Sequence, residues 1–167
     1  TEYPEAGYLN IDRTADGMTV CSAVLIAPKV VMTAGHCVDG FKQWEVQIGS
    51  AYRVAIGATT FDYEGNGGNV NPKQHDIGLV FLGEEIVIPR YPQLARGPLP
   101  SGSRVVSVGR VQDGNVTNSQ HMGDVEVSSA ESIGYDYDYV SDDIIQPGDS
   151  GGPAFAADTH TIVGINS

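Results

Sequence analysis

Positive charge is scarce in this sequence: nine Lys and Arg stand against 21 Asp and Glu, a formal net charge of −12. Phosphate backbones and anionic membrane surfaces are bound by clustered Lys and Arg, so this deficit excludes nucleic acid and membrane as partners. Long apolar runs are missing as well, and none approaches the roughly 20 residues of a membrane-spanning helix. No extended stretch keeps a 3.6-residue hydrophobic period, which argues against a helical bundle. There is no internal repeat at a solenoid spacing. No secretion signal stands in these residues, so export would be directed by a segment outside them.

Cysteine is nearly absent, and the two present are close in sequence. Cys21 and Cys37 bracket two short apolar runs that turn at Ala27-Pro28-Lys29, a hairpin able to bring the sulfurs together. Two readings stand here. One is a disulfide, and with it an oxidising compartment, secreted or periplasmic; the other is a pair of buried free thiols.

What the chain does have is β-forming sequence. Val20 to Ile26, Val30 to Thr33, Trp44 to Ile48, Tyr52 to Ile56, Ile77 to Leu82, Arg104 to Val108, Val125 to Ser128 and Thr161 to Ile165 are rich in Val, Ile and aromatics. Clusters of Gly, Pro, Asn and Asp separate them, with 21 Gly and 9 Pro in all. That pattern predicts an antiparallel barrel or sandwich. A short helical turn is expected after Cys37, and a flexible loop at Gly65-Asn66-Gly67-Gly68-Asn69. The proline-rich stretch 86–100 is expected to link a first β half, 1–85, to a second, 101–167. All-β barrels commonly run to roughly 200–250 residues as one domain, so 167 residues predict a single, incomplete domain.

Three segments carry candidate chemistry. Thr33-Ala34-Gly35-His36-Cys37 offers an imidazole, Asp76-Ile77-Gly78-Leu79 a carboxylate, and Gly148-Asp149-Ser150-Gly151-Gly152-Pro153 a hydroxyl among glycines. A serine hydroxyl is a weak nucleophile unless a base removes its proton and a carboxylate orients that base. Each residue alone has a plainer explanation: a half-buried strand-end histidine, a strand-start cap, a turn serine. His75 directly precedes Asp76, but adjacent strand residues point to opposite faces, so Asp76 is assigned to His36. His121 and His160 have no comparable context.

The three segments, in the order His, Asp, Ser and with the Cys21 to Cys37 spacing, resemble the trypsin-like (chymotrypsin-fold) serine proteases over essentially the whole chain. The resemblance implies an all-β fold of two six-stranded Greek-key barrels, the second incomplete. It also implies a serine endopeptidase acting through an acyl-enzyme, with Ser150 as nucleophile, His36 as general base and acid, and Asp76 orienting the imidazole. The N–H groups of Gly148 and Ser150 would form the oxyanion hole. Asp149 would pair with an α-amino group created by activation cleavage. Ser167 would open the segment that binds substrate backbone.

The pocket position falls on Ile144, favouring apolar or small side chains; a shift of one residue places Asp143 there and favours Arg or Lys. Gln146 stands where relatives carry a pocket cysteine. No cofactor or metal is implied, and the Tyr135 to Asp143 acidic stretch is expected to be a solvated loop rather than a calcium site. Polypeptide substrates, protein inhibitors and an activating protease are the implied partners of a monomer. Few disulfides and short loops resemble bacterial members more than animal ones. Tyr3-Pro4 and the end at Ser167 predict a chain shortened at both ends. The competing reading is a non-catalytic relative that binds peptides or proteins.

Overall fold

The computed structural model describes residues 2–13, 17–40, 43–65, 69–112, 115–142 and 148–167. Its elements are β1 (Ala6–Arg13), β2 (Gly17–Ala27), β3 (Val30–Thr33), α1 (Gly35–Val38), β4 (Gln43–Ile48), β5 (Ala51–Thr60), β6 (Gly78–Leu82) and β7 (Gln93–Leu94). There follow β8 (Ser103–Gln112), β9 (Asn115–Ser129), a 3₁₀ turn (Glu131–Ile133), β10 (Tyr139–Val140), β11 (Pro153–Ala156) and β12 (Thr161–Ile165). Among the described residues no helix is long and apolar enough to cross a membrane. Most of the expected loop at Gly65 to Asn69 lies outside the described residues.

The first half closes into a barrel in the order β1, β2, β3, β6, β5, β4. Alternation along each strand places one set of side chains inside. In β1, Leu9 pairs with Cys21 of β2 on one side and Val46 of β4 on the other, and all three are buried. Leu25, Val31, Val80 and Leu82 complete the barrel interior with Ile11 and Ile48. Closure removes the exposed edges that would otherwise recruit other strands.

The second half is a six-stranded sheet in the order β10, β9, β8, β11, β12, β7, a half-barrel. The strand β7 lies inside the stretch expected as a linker and adds parallel to β12, through Thr161 opposite Gln93. The fold is thus the double barrel with one barrel closed and one open.

A shared apolar seam joins the halves. Val24, with Ile26 and Met32, packs against Val108, Phe155, Ile162 and Ile165 of the second sheet. The N-terminal segment belongs to the same seam: Tyr3 stacks on Phe155 at 4.7 Å between ring centres. Next to it the buried Glu5 bonds the ring of His160 at 2.5 Å. The segments that carry His36, Asp76 and the serine turn all adjoin strands of these two packed halves.

Cys21 and Cys37 form a disulfide. It ties β2 to α1 across a sequence separation of 16, and both residues lie in the barrel core. Closing a loop of that length restricts the unfolded chain, so replacing both cysteines by Ala should lower unfolding free energy by about 3 kcal/mol. Equilibrium denaturation in guanidinium measures the loss; an unchanged midpoint would show that the bridge adds nothing.

Candidate active site

The histidine end of the site is built by a tight exit from β3. The chain turns at Ala34 into α1, and Gly35 fits between Tyr63 and Asp76, where an added Cβ would stand 2.9 Å from the Tyr63 Cβ and 3.0 Å from Asp76 Oδ1. That close approach lets one carboxylate reach two atoms of the next residue. The His36 backbone N–H donates to Asp76 Oδ1 at 2.7 Å, and His36 Nδ1 lies 2.7 Å from Asp76 Oδ2. The Ser167 hydroxyl, immediately beyond β12, also donates to Asp76 Oδ2.

Asp76 is only 5% exposed. Burial alone would push its carboxyl upward and is the largest single influence on it. The hydrogen bonds from the His36 ring and the Ser167 hydroxyl, with the attraction of the imidazole and the His36 N–H, outweigh that burial and hold it below the usual carboxylate value of 3.8. An ionised carboxylate only accepts, so the proton between the two groups sits on His36 Nδ1. The opposite ring nitrogen, Nε2, is then the basic edge of the neutral imidazole. It lies 3.7 Å from Cys37 Sγ.

The serine turn comes to the same corner from the second half. Ser22 of β2 donates its backbone N–H to both Gly148 O, at 3.0 Å, and Ser150 O, at 2.8 Å. Its hydroxyl donates to Gly148 O as well, and Thr33 of β3 donates to Ser22 O. Cys37 Sγ lies 3.9 Å from Ser150 O. Gly148 and Gly151 have φ of 100° and 88°, a region that side chains with a Cβ rarely enter. Gly151 could not carry a side chain in any case, because a Cβ there would stand 2.0 Å from Thr33 Oγ1 and 2.2 Å from Ser22 O. Behind the turn, Gly151 N–H donates to Asn166 O and Asn166 N–H to Gly152 O, at 2.7 and 2.8 Å.

Among the described residues, the N–H groups of Gly148 and Ser150 donate to no backbone acceptor. The Ser150 hydroxyl makes no hydrogen bond to His36 among those same residues. Hydrogen bonds of this kind are often long before substrate arrives and tighten on binding.

Of the remaining candidates, Asp149 is buried, with its carboxylate seated over the bare α-carbon of Gly109. Ile144, Asp143 and Gln146, the pocket positions, lie outside the described residues. Ser167, expected to open the segment that binds substrate backbone, also donates its hydroxyl to Asp76. Nothing local in the sequence marks that bond, which spans 91 residues.

Sequence reasoning also missed a second carboxylate–histidine pair. Asp62 accepts the His75 backbone N–H at 2.7 Å and lies 2.9 Å from its Nδ1. Cys21, His36 and Cys37 bring three donor atoms within 4.8 Å, yet the two sulfurs are committed to each other in the disulfide and offer no thiolate to a metal. Beside Asp76 and Ser167 a cavity of about 510 Å³ opens along the second sheet, bordered by His75, Tyr137, Asp138 and Tyr139.

Comparison with known proteins agrees with this architecture. Residues 4–167 match the family model described as Trypsin. The chain belongs to the trypsin family. HL collagenase superposes with a TM-score of 0.81 at 19% identity, over 98% of this chain and 80% of that one. Neuropsin, a serine protease expressed in the limbic system of mouse brain, gives 0.74 at 21% identity, over 99% and 82%. The scabies mite inactivated protease paralogue S-I1 gives 0.77 at 15%, over 97% and 81%. At these identities the likeness is one of fold. No curated protein matches the sequence.

The lowered carboxyl of Asp76 fixes the sign of a pH effect. Its bonds stabilise the fold fully above the ordinary value of 3.8, and that stability is lost as pH falls through the lower folded-state value. Thermal unfolding of wild type and Asp76→Asn should therefore differ near pH 6 and converge toward about pH 2. A gap that is constant across this range would contradict an ionised Asp76 in the folded protein.

Proposed function

We propose that this chain is the peptidase domain of an exported serine endopeptidase that cleaves polypeptides through an acyl-enzyme. Ser150 attacks the scissile carbonyl while His36 Nε2 takes its proton. Asp76 keeps the imidazole in the required tautomer and offsets the charge it gains. The oxygen of the tetrahedral intermediate is received by the Gly148 and Ser150 N–H groups. His36 returns its proton to the leaving amine, and water activated by the same ring then releases the acyl group.

The observation that carries this reading is the two-point hold of Asp76 on His36, which leaves Nε2 as the basic nitrogen 3.7 Å from Cys37 Sγ, itself 3.9 Å from Ser150 O. Membership of the trypsin family supports a protease acting on polypeptides. The disulfide fits an oxidising compartment, secreted or periplasmic. Protein inhibitors and an activating protease are the further partners, the latter because Asp149 is proposed to pair with an α-amino group freed by cleavage. Ile144 is the proposed pocket residue, selecting apolar or small side chains; its neighbour Asp143 in that place would select Arg or Lys.

One observation favours a second reading, a non-catalytic relative that holds peptides or proteins. Ser150 and His36 are not hydrogen-bonded, and a protease paralogue described as inactivated shares the fold.

A serine-directed phosphonate separates the two. The endopeptidase should gain one phosphonyl group on Ser150, found by peptide mass mapping, and Ser150→Ala should cut kcat/KM at least about a thousandfold. Absence of labelling in the full-length, activated protein, with peptide binding intact in Ser150→Ala, would establish the binding module instead.

A further inference from the structure

Asp76 sits at the apex of a three-residue turn. The Ile77 N–H donates to His75 O at 2.9 Å, an i to i+2 closure that fixes the direction of the middle side chain. Both flanks of that turn are held by one short segment, Phe61-Asp62. On one side the Phe61 N–H donates to Ile77 O at 3.3 Å. On the other, Asp62 spans the His75 backbone N–H and ring Nδ1, at 2.7 and 2.9 Å. This repeats, one residue upstream, the way Asp76 spans the same two atoms of His36. Two carboxylate–histidine units are thus linked in tandem, and the first fixes the backbone from which the second projects.

The second half of the protein also touches this turn. The His75 ring stacks on Tyr137 with centres 3.9 Å apart and planes inclined by 22°, while Phe61 meets its edge at 5.0 Å. Nearby, Lys73 Nζ bonds both carboxylate oxygens of Asp136 at 3.0 Å, and the Asp136 N–H donates to Pro72 O at 3.2 Å. The charged groups around His75 are therefore Asp62 on its own side, Asp76 beside it and Asp138 across the cavity. Asp138 is pushed up by burial and by the charge of Asp76, and His75 works against that rise.

We propose that Asp62 and His75 are positioning residues for Asp76, holding the turn that carries its carboxylate and registering it, through Tyr137, to the half of the protein that bears Ser150. The inference rests on the endopeptidase reading for its consequence in catalysis, but its structural core does not. Asp62 is 37% exposed and His75 31%, and pairs this open add little to global stability. Removing the pair should loosen Asp76 without unfolding the chain.

The test compares wild type, Asp62→Ala and the conservative Asp62→Asn, which keeps an oxygen acceptor. One reading is the proton NMR resonance of His36 Nδ1–H, which reports its bond to Asp76 and needs no turnover. In Asp62→Ala it should move upfield and broaden, with Asn restoring most of the wild-type position. The other is steady-state cleavage of a peptide substrate: kcat should fall about tenfold in Asp62→Ala while KM stays within about twofold, a loss of alignment rather than of binding. A wild-type resonance and kcat in Asp62→Ala, or an Asn variant no better than Ala, would overturn the proposal. If Asp62→Ala does not fold, His75→Gln, which keeps the peptide N–H, takes its place with the same expectations. Should the wild type neither cleave peptides nor take a phosphonate, the endopeptidase reading fails and the resonance alone decides the positioning role.

Discussion

The site depends on one buried carboxylate. Asp76 is almost without solvent, and a charge so placed is tolerated only when hydrogen bonds replace the lost water. It collects three: the ring and backbone N–H of His36 from the first half, and the hydroxyl of Ser167 just beyond the last strand of the second. The chemistry follows from that accounting. Because the charge of Asp76 is satisfied by donors, His36 must present its Nδ1 proton inward and its basic nitrogen outward. Because one donor comes from the other half of the molecule, the same bonds help bring the two halves into register.

The serine turn is governed by space rather than charge. Ser22 and Thr33, on adjacent strands of the closed barrel, form a floor against which the backbone at 148–151 is laid. Only glycine fits at 151, and only a residue at ease with positive φ fits at 148. This gives the sequence Gly-Asp-Ser-Gly a structural reason as well as a chemical one. A relative could keep the fold while losing activity, as the inactivated paralogue among its structural neighbours illustrates. Family membership defines the scaffold, and the proposed chemistry would rest on the side chains at 36, 76 and 150.

Much of the fold could be read from strand chemistry. Val30–Thr33 and Thr161–Ile165 occupy the expected residues, since β-branched side chains crowd there between clear turn signals. The strand β1 escaped notice although Leu9 and Ile11 alternate with Asn10 and Asp12, because the alternating run is short and opens on Gly7; it is held by two neighbouring strands that pair with it. The strand β11 begins at a proline, a residue that ordinarily demotes a strand, and is kept by pairing with β8 and β12. In the site, the local motifs at 36, 76 and 150 were legible because glycine and small residues announce tight geometry. The bonds of Ser167 and Asp62 were not, because neither residue carries a motif that announces its partner, and Ser167 reaches Asp76 across 91 residues.

The most direct measurement of the account is the nitrogen NMR spectrum of His36 at neutral pH, which reports which ring nitrogen carries the proton. The predicted result is a protonated Nδ1 bonded to Asp76 and a bare Nε2 free to act as base. A spectrum with the proton on Nε2 would mean that the carboxylate does not set the tautomer, and the ordering of the site around Asp76 would be wrong.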